Sequence, residues 1–550
     1  MLLNTLAVSL LLPLSQALRS SGNGVLAEPE MAPKRVAIIG AGAAGSSAAY
    51  HLSQSAQDAG IPTQIHVFER SSHIGGRCTT VHAWSDPKQP VELGASIFVE
   101  VNHILVSASK TFNLTTAAHE LEKPREGTPE LGVWNGKEFV FISSGDNGWW
   151  DLAKLLWRYG YSPIKTNGLM KSTVARFLKM YEKPLFPWSS LSEAVQEAGL
   201  LEVTGVTGEQ FLKEKGVSDK FATEIVQAST RVNYAQNLGL IHGLETMVCM
   251  AANGAMSITG GNWQIFSRML HSSSAISTHL NTTIAQISKQ PDNTYNLTTS
   301  SGEVSTFDDI VLAAPLQSSS LVIEPQPKHT PDQIPYVKLH VTLFASPFKL
   351  DPAAFGMKDG SEVPQYVLTT LPPSESHGSD PNGCGSPGFF SVSIVGNGVN
   401  PLLPEPRPEI VYKIFSPHRI NSTFLSNILG RKVTDDEAED GDPNGAVSWI
   451  YHKVWHSYPY EFPRVTFDEI KLDEGLWYTS GIESFISTME TSALMGKNVA
   501  QLIVDEWTSA GEPEPKQDGE TLKVQGDDAA WQFKPLDNAQ GQQKPLKAKL

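Results

Sequence analysis

The residues most able to organise chemistry here are glycines, together with the acid that follows them. Gly40-Ala41-Gly42-Ala43-Ala44-Gly45 has the spacing of a dinucleotide-binding turn. Gly40 permits a tight turn out of a strand, Gly42 lets backbone approach a pyrophosphate, and Gly45 lets the next helix pack close to that strand. The helix start offers unpaired N–H groups and partial positive charge to phosphate oxygens. Glu69 then answers the turn: its carboxylate can accept both hydroxyls of a ribose and would repel a 2′-phosphate, which argues against NADP. Glycine spacing alone is a weak signal, so the flanking elements decide. Arg35–Ile39 is a short apolar run suited to a buried parallel strand, Ala43–Gln57 has helical character, and Gln64–Glu69 is a second strand. Together they form one βαβ unit of about 35 residues.

Arg70 follows directly, and soon after it Gly75-Gly76-Arg77, where paired glycines let the chain pass close to a diphosphate and Arg77 supplies charge. This stretch resembles the second signature of the glutathione-reductase-type FAD enzymes. Glu92-Leu93-Gly94-Ala95-Ser96 resembles the segment that passes beneath the isoalloxazine in those enzymes. Near the other end of the chain, Gly475 to Gly481-Ile482-Glu483 precedes a helix expected over Ser487–Trp507, resembling their closing FAD segment. Flavin-linked cysteines occur near this point in some amine oxidases; none is present here, so the resemblance implies non-covalent FAD. The expected fold is α/β: a glutathione-reductase-type Rossmann domain interleaved with an α+β substrate domain.

Arg231-Val-Asn-Tyr234-Ala-Gln236, Ile258-Thr-Gly260-Gly261-Asn262 and Ser487-Thr-Met-Glu490-Thr-Ser-Ala493 narrow the likeness. They resemble the prenylcysteine oxidases, or lyases, from about Arg35 to Val504. Ala235 stands where that resemblance leads one to expect glycine. The resemblance implies oxidative cleavage of a prenylated cysteine thioether. Hydride leaves C1 for flavin N5, water adds to the sulfur-stabilised carbocation, and the hemithioacetal collapses to aldehyde and cysteine. Molecular oxygen then yields hydrogen peroxide. Such chemistry asks the protein mainly to orient substrate and exclude competing reactions. Arg231 would either pair the cysteine carboxylate or form a structural ion pair; Tyr234 would either lie beside flavin or prenyl group or belong to the core. His103 and His242 are candidates to position water, and Trp149, Trp150 and Trp157 to line a prenyl channel, with ordinary structural roles as the competing reading.

Composition sets limits around this. A net charge of -16 sets nucleic-acid binding aside. Cys78, Cys249 and Cys384 lack metal-ligand spacing, so no metal is expected, and one disulfide is left open. The apolar run Leu2–Leu14, followed by Ser15 and Ala17, reads as a signal peptide over 1–17 and is too short to cross a bilayer, which takes roughly 20 residues. Asn113, Asn281, Asn296 and Asn421 open glycosylation sequons. The expected destination is the secretory pathway, ending in lysosome, vacuole or outside the cell, with peripheral membrane association open and no transmembrane segment. The chain divides into FAD-binding parts at 34–110, 231–320 and 456–508, a mainly helical part at 111–230, a β-rich substrate part at 321–455, and a disordered tail at 511–550. Two rivals remain: a flavin amine oxidase sharing every FAD motif, and a flavin-free prenyl carrier resembling the GDP-dissociation inhibitors.

Overall fold

A computed structural model describes residues 32–118, 129–143, 149–252, 254–375 and 383–509, with side chains undescribed at 118 and 149–152. The expected signal peptide, the C-terminal tail and the side chains of Trp149 and Trp150 lie outside the described residues. The first sheet grows from the fingerprint: β1 (Lys34–Ile39), α1 (Ala43–Asp58) and β2 (Thr63–Phe68). It is completed by β3 (Ile276–His279), β4 (Asp309–Leu312), β5 (Lys471–Asp473) and β6 (Leu476–Tyr478), in the order β5-β6-β4-β1-β2-β3. All neighbours are parallel except β5 and β6. Val36, Ala37 and Ile38 are fully buried, which explains why β1 reads as an unbroken apolar run. The chain leaves β1 towards β2 on one side and later places β4 on the other, so a crevice opens at the carboxyl ends of β1 and β4.

The helix α2 (Met489–Ser509) closes this domain by packing against α1. Small residues permit the close approach: a Cβ on Gly496 would lie 2.2 Å from the Ala44 carbonyl oxygen. Ser47 Oγ donates to Ala493 O at 2.6 Å across the contact.

The second sheet has seven strands, in the order Trp449–Pro459, Tyr336–Ser346, Arg407–Ser416, Ser391–Asn400, Tyr366–Thr369, Leu131–Trp134, Phe139–Ile142. The last two come from within the stretch expected to be mainly helical. They form a hairpin around Gly136, whose φ of +93° suits glycine alone. Beyond the first sheet the chain forms three further strands, Ile284–Lys289, Tyr295–Thr299 and Val304–Phe307, turning between the last two at Gly302. Register decides which side of the seven-stranded sheet meets the crevice. Leu339 faces Trp455, Val341 faces Phe415 and Lys453, and Leu343 faces Lys413 and Tyr451, so these side chains share one face. The opposite face packs Phe344, Tyr412 and Ile414 against Leu425 and Ile428 of the helix Ser422–Leu429.

Candidate active site

A single cavity of about 2120 Å³ joins the carboxyl ends of β1 and β4 to the apolar face of the seven-stranded sheet. Its dinucleotide half follows from the glycines. Gly40 has φ +114°, and a Cβ there would meet Ala313 O at 2.8 Å. A Cβ on Gly45 would fall 1.9 Å from Gly40 O, so glycine is required for α1 to leave the strand so tightly. Gly42 differs: its Cβ would enter open space, with Gly76 Cα the nearest atom at 4.0 Å. That space lies before the first turn of α1, which has no side-chain cap and therefore presents free N–H groups. Glu69 is held at its edge, accepting from the Ala41 and Ser71 amides at 3.0 and 2.8 Å. The cradle thus fits a two-phosphate dinucleotide, with α1 on the phosphates and Glu69 on a ribose.

The cavity lining brings together Gly40, Gly42, Ala43, Ala44, Glu69, Arg70, Gly75, Gly76, Arg77, Gly94, Ala95, Ser96, Tyr234 and Glu483 from distant parts of the chain. Ala41, Gly45, Gly481 and Ile482 stand behind it; Ile482 is fully buried core.

Arg77 lines the cavity with its charge already partnered. Its Nη2 pairs with Glu483 at 2.8 Å and its Nη1 donates to Ser457 O at 2.5 Å. Tyr336 OH donates to the other Glu483 oxygen at 3.1 Å. Burial works against the guanidinium charge, but Glu483 outweighs it and raises the pKa. The helix starts, including Thr488 and Met489 at the start of α2, also line the cavity and can meet phosphate charge.

The Glu92–Ser96 segment is clamped by two residues. Asn262 donates through Nδ2 to Ala95 O and Ser96 O at 3.1 and 3.0 Å, and its amide donates to Glu92 Oε1 at 2.6 Å. Gly261, at φ +117°, brings the chain in too closely for any Cβ, which would meet Thr80 Cγ2 at 2.5 Å. This accounts for the Gly-Gly-Asn pattern. Lys413 completes the clamp, donating to Glu92 O at 3.0 Å, Gly94 O at 3.4 Å and Ser96 Oγ at 2.9 Å. Burial pushes the Glu92 carboxyl up and the Lys413 ammonium down, each restrained by the other. Sequence reasoning missed Lys413; the signal was a lysine set among apolar residues in Glu409-Ile-Val-Tyr-Lys-Ile-Phe415.

The expected pairing of Arg231 with a substrate carboxylate is corrected. Arg231 is fully buried and does not line the cavity. Its donors serve Thr369 Oγ1, Asn237 Oδ1 and the carbonyls of Gly383, Cys384 and Phe389 at 2.7–3.5 Å. It pins the helix Gln227–Tyr234 to the second sheet without a carboxylate partner in those contacts, and burial pulls its pKa down to about 10. Tyr234, at the end of that helix, does line the cavity, its ring 5.0 Å from that of Tyr458 and its hydroxyl donating to Ser487 O at 3.1 Å. Ala235 takes the left-handed conformation, φ +52°, which explains the expectation of glycine there. His103 and His242 do not line the cavity; His242 is buried and caps the helix Gly243–Cys249. Trp157 is 94% exposed and lines no channel. None of the three cysteines forms a disulfide.

Sheet, cradle and facing β-layer define the fold of a flavin-type oxidase. Among solved structures, a putrescine oxidase bound to putrescine aligns with TM-score 0.52 at 15% identity, over 86% of this chain and 99% of its own. A cyclohexylamine oxidase from Brevibacterium oxydans aligns with TM-score 0.51 at 15% identity, over 87% and 100%. At that identity the likeness is one of fold. The family model for prenylcysteine lyase matches residues 142–514, and that for an NAD(P)-binding Rossmann-like domain matches 38–107. The chain belongs to the prenylcysteine lyase family. It is 30% identical to a farnesylcysteine lyase of Arabidopsis thaliana, over 91% of this chain and 94% of the relative. It is 27% identical to prenylcysteine oxidase 1 of Bos taurus, over 88% and 90%.

Proposed function

We propose that this chain is an FAD-dependent thioether oxidase that cleaves prenylated cysteine to a prenyl aldehyde, cysteine and hydrogen peroxide. The observation that carries this reading is the single cavity in which the dinucleotide cradle meets the apolar sheet face, in a member of this family. FAD held without a covalent bond by the α1 start, Glu69 and Gly75–Gly76 would supply the hydride acceptor, with oxygen as the final oxidant. The chain's own part is to bind and orient the substrate. Leu339, Val341, Phe415, Trp455 and Tyr458 offer an apolar wall for the prenyl chain. Peroxide and aldehyde released from farnesylcysteine, with none from spermine, is the expected result; the reverse preference would favour an amine oxidase, and a colourless protein without either activity a lipid carrier.

With Arg231 buried elsewhere, another cation must meet the substrate carboxylate. Among the described lining residues, Arg70 donates to Ser318 O, Arg77 pairs with Glu483, Lys349 with Glu362, and Lys413 is held by the Glu92–Ser96 segment. Lys453 has no ion pair among the described residues; its ammonium lies 4.7 Å from the Trp455 ring centroid. Lys453→Met is expected to raise KM for farnesylcysteine about tenfold with little change in kcat, as the loss of one charge contact of about 1.4 kcal/mol requires. KM for a decarboxylated analogue should not move; an equal rise for both would remove Lys453 from this role.

The reading extends to entry into the secretory pathway and residence in a lysosome, vacuole or the extracellular space. Asn113, Asn281 and Asn421 are exposed and Asn296 is half-buried in a strand, so glycans are expected first on the former three. Endoglycosidase treatment of protein from a eukaryotic secretory host should increase its gel mobility; no change would argue against glycosylation. No described helix is long and apolar enough to cross a membrane. Exposed Trp157, Tyr161 and Ile164 support a peripheral membrane contact, which co-flotation with liposomes would test.

A further inference from the structure

Behind the Tyr234–Tyr458 wall lies a group that the oxidase reading leaves without a role. Glu245, in the helix Gly243–Cys249, and Glu461, just beyond the strand Trp449–Pro459, are both fully buried. None of their four carboxyl oxygens has a well-formed hydrogen bond among the described residues. His242 stands between them. Its Nδ1 accepts from the Glu245 amide at 3.1 Å, which assigns the imidazole proton to Nε2, 3.6 Å from Glu461 Oε2. Two carboxylates so placed cannot both carry charge, since burial and mutual repulsion each favour the neutral form. The other titratable groups facing them are Tyr234, Cys249, Glu483 and Arg464. Arg464 opposes the rise at Glu461, yet burial still prevails and both carboxyls titrate well above the ordinary range. Tyr234 connects the pair to the cavity: its ring lines the wall while its hydroxyl and the Ser487 amide face the Glu245 carboxyl.

We propose that Glu245 and Glu461 form a shared proton store that serves the cavity through the Tyr234 hydroxyl. The proposal rests on the thioether-oxidase reading and deepens it. In that reaction, water forms a C–O bond with the oxidised substrate carbon and loses one proton. Collapse of the hemithioacetal breaks the C–S bond, and the hydroxyl proton moves to sulfur, with no net change. Reduction of oxygen to hydrogen peroxide takes the two electrons and one hydrogen removed from the substrate carbon, plus one proton. With both carboxyls neutral at rest the store is full; it gives one proton when oxygen is reduced and regains one from the water added in the next turnover. A Tyr–Glu path buried behind the wall keeps that proton out of bulk water between the two events.

Two measurements on the intact flavoprotein test this. Infrared spectra of the resting protein at neutral pH should show a protonated-carboxyl C=O band that shifts in D2O and loses intensity in Glu245→Gln and in Glu461→Gln. Proton uptake is then followed with an indicator dye as the protein, reduced anaerobically with farnesylcysteine, is mixed with oxygen. The wild type should draw no proton from the medium in that step, whereas Glu245→Gln should draw one per hydrogen peroxide formed. Tyr234→Phe, which keeps the ring in the wall, should also draw one while preserving the infrared band, a combination that a structural role for the acids would not produce; it carries the test if the glutamine variants fold poorly. Absence of the band, or equal proton uptake by wild type and Tyr234→Phe, overturns the store. Failure to form aldehyde at all overturns the oxidase reading instead, and the store's role with it.

Discussion

Replacing Gly42 with valine is expected to give a folded protein that has lost its flavin. Gly42 has φ −82° and ψ −166°, extended backbone open to any residue, and a Cβ there meets no atom closer than 4.0 Å. The valine side chain therefore fits the protein but fills the space where a pyrophosphate must approach the α1 start. An affinity loss on the order of 100-fold or more follows, about 3 kcal/mol. Gly45→Ala is the contrasting variant. Its Cβ would lie 1.9 Å from Gly40 O, so β1 and α1 must part and the fold itself should suffer. Absorbance at ~450 nm, where bound flavin is seen, together with thermal melting separates the two outcomes. A Gly42→Val protein that stays yellow would place the cofactor elsewhere.

The second large effect concerns pH. Stability is expected to fall as pH rises from 6.5 to 8. Glu490 is the clearest contributor. Its oxygens accept from the Ile104 and Leu105 amides at 2.8 and 3.0 Å and from Tyr181 OH at 3.0 Å, yet burial still carries its pKa from 4.5 up to about 7. A folded carboxyl that holds its proton longer than the unfolded one contributes fully below pH 4.5 and loses that contribution as pH rises to about 7. For Glu490 the loss amounts to about 3 kcal/mol over the whole range. Glu245 and Glu461, also pushed up by burial, act in the same sense and extend the fall to higher pH. Below pH 6.5, His51 and His242 oppose them: burial pulls both down to about 3, so the unfolded chain takes up protons that the folded one refuses. Above 6.5 that opposition ends. Urea midpoints at pH 6.5 and 8 should show the decline, and Glu490→Gln should flatten the part below 7. Equal or greater stability at pH 8 would mean that these acids are ionised in the fold.

The dinucleotide half of the site was legible because its determinants are local. An apolar strand, three glycines at fixed spacing and an acid closing the next strand lie between Arg35 and Glu69, and each acts on its immediate neighbours. The Gly260-Gly261-Asn262 pattern was visible but not its purpose, since Asn262 reaches Ala95 and Ser96, far away in sequence. The hairpin joining Leu131–Trp134 to Phe139–Ile142 carried a turn signal in Asn135-Gly136, obscured by strands too short for alternation to show. The substrate half was hidden for a different reason. Which face of Tyr336–Ser346 meets the cavity is set by register with Trp449–Pro459 and Arg407–Ser416, and only that pairing brings Lys453 and Lys413 inward. Arg231 and Trp157 misled because a cation or an indole gives no sign in sequence of whether it faces cavity, core or solvent.

The contact between Ala44 and Gly496 joins the first helix of the fold to the last. Several cradle residues beside it, Ser480, Glu483 and Ser487 to Met489, are made only near the end of translation. The amino-terminal βαβ unit must therefore wait on the ribosome without its closing wall, and cofactor loading becomes one of the last events in the maturation of the enzyme. A chain stopped short of α2 would lack that wall, so flavin uptake depends on synthesis having passed Met489.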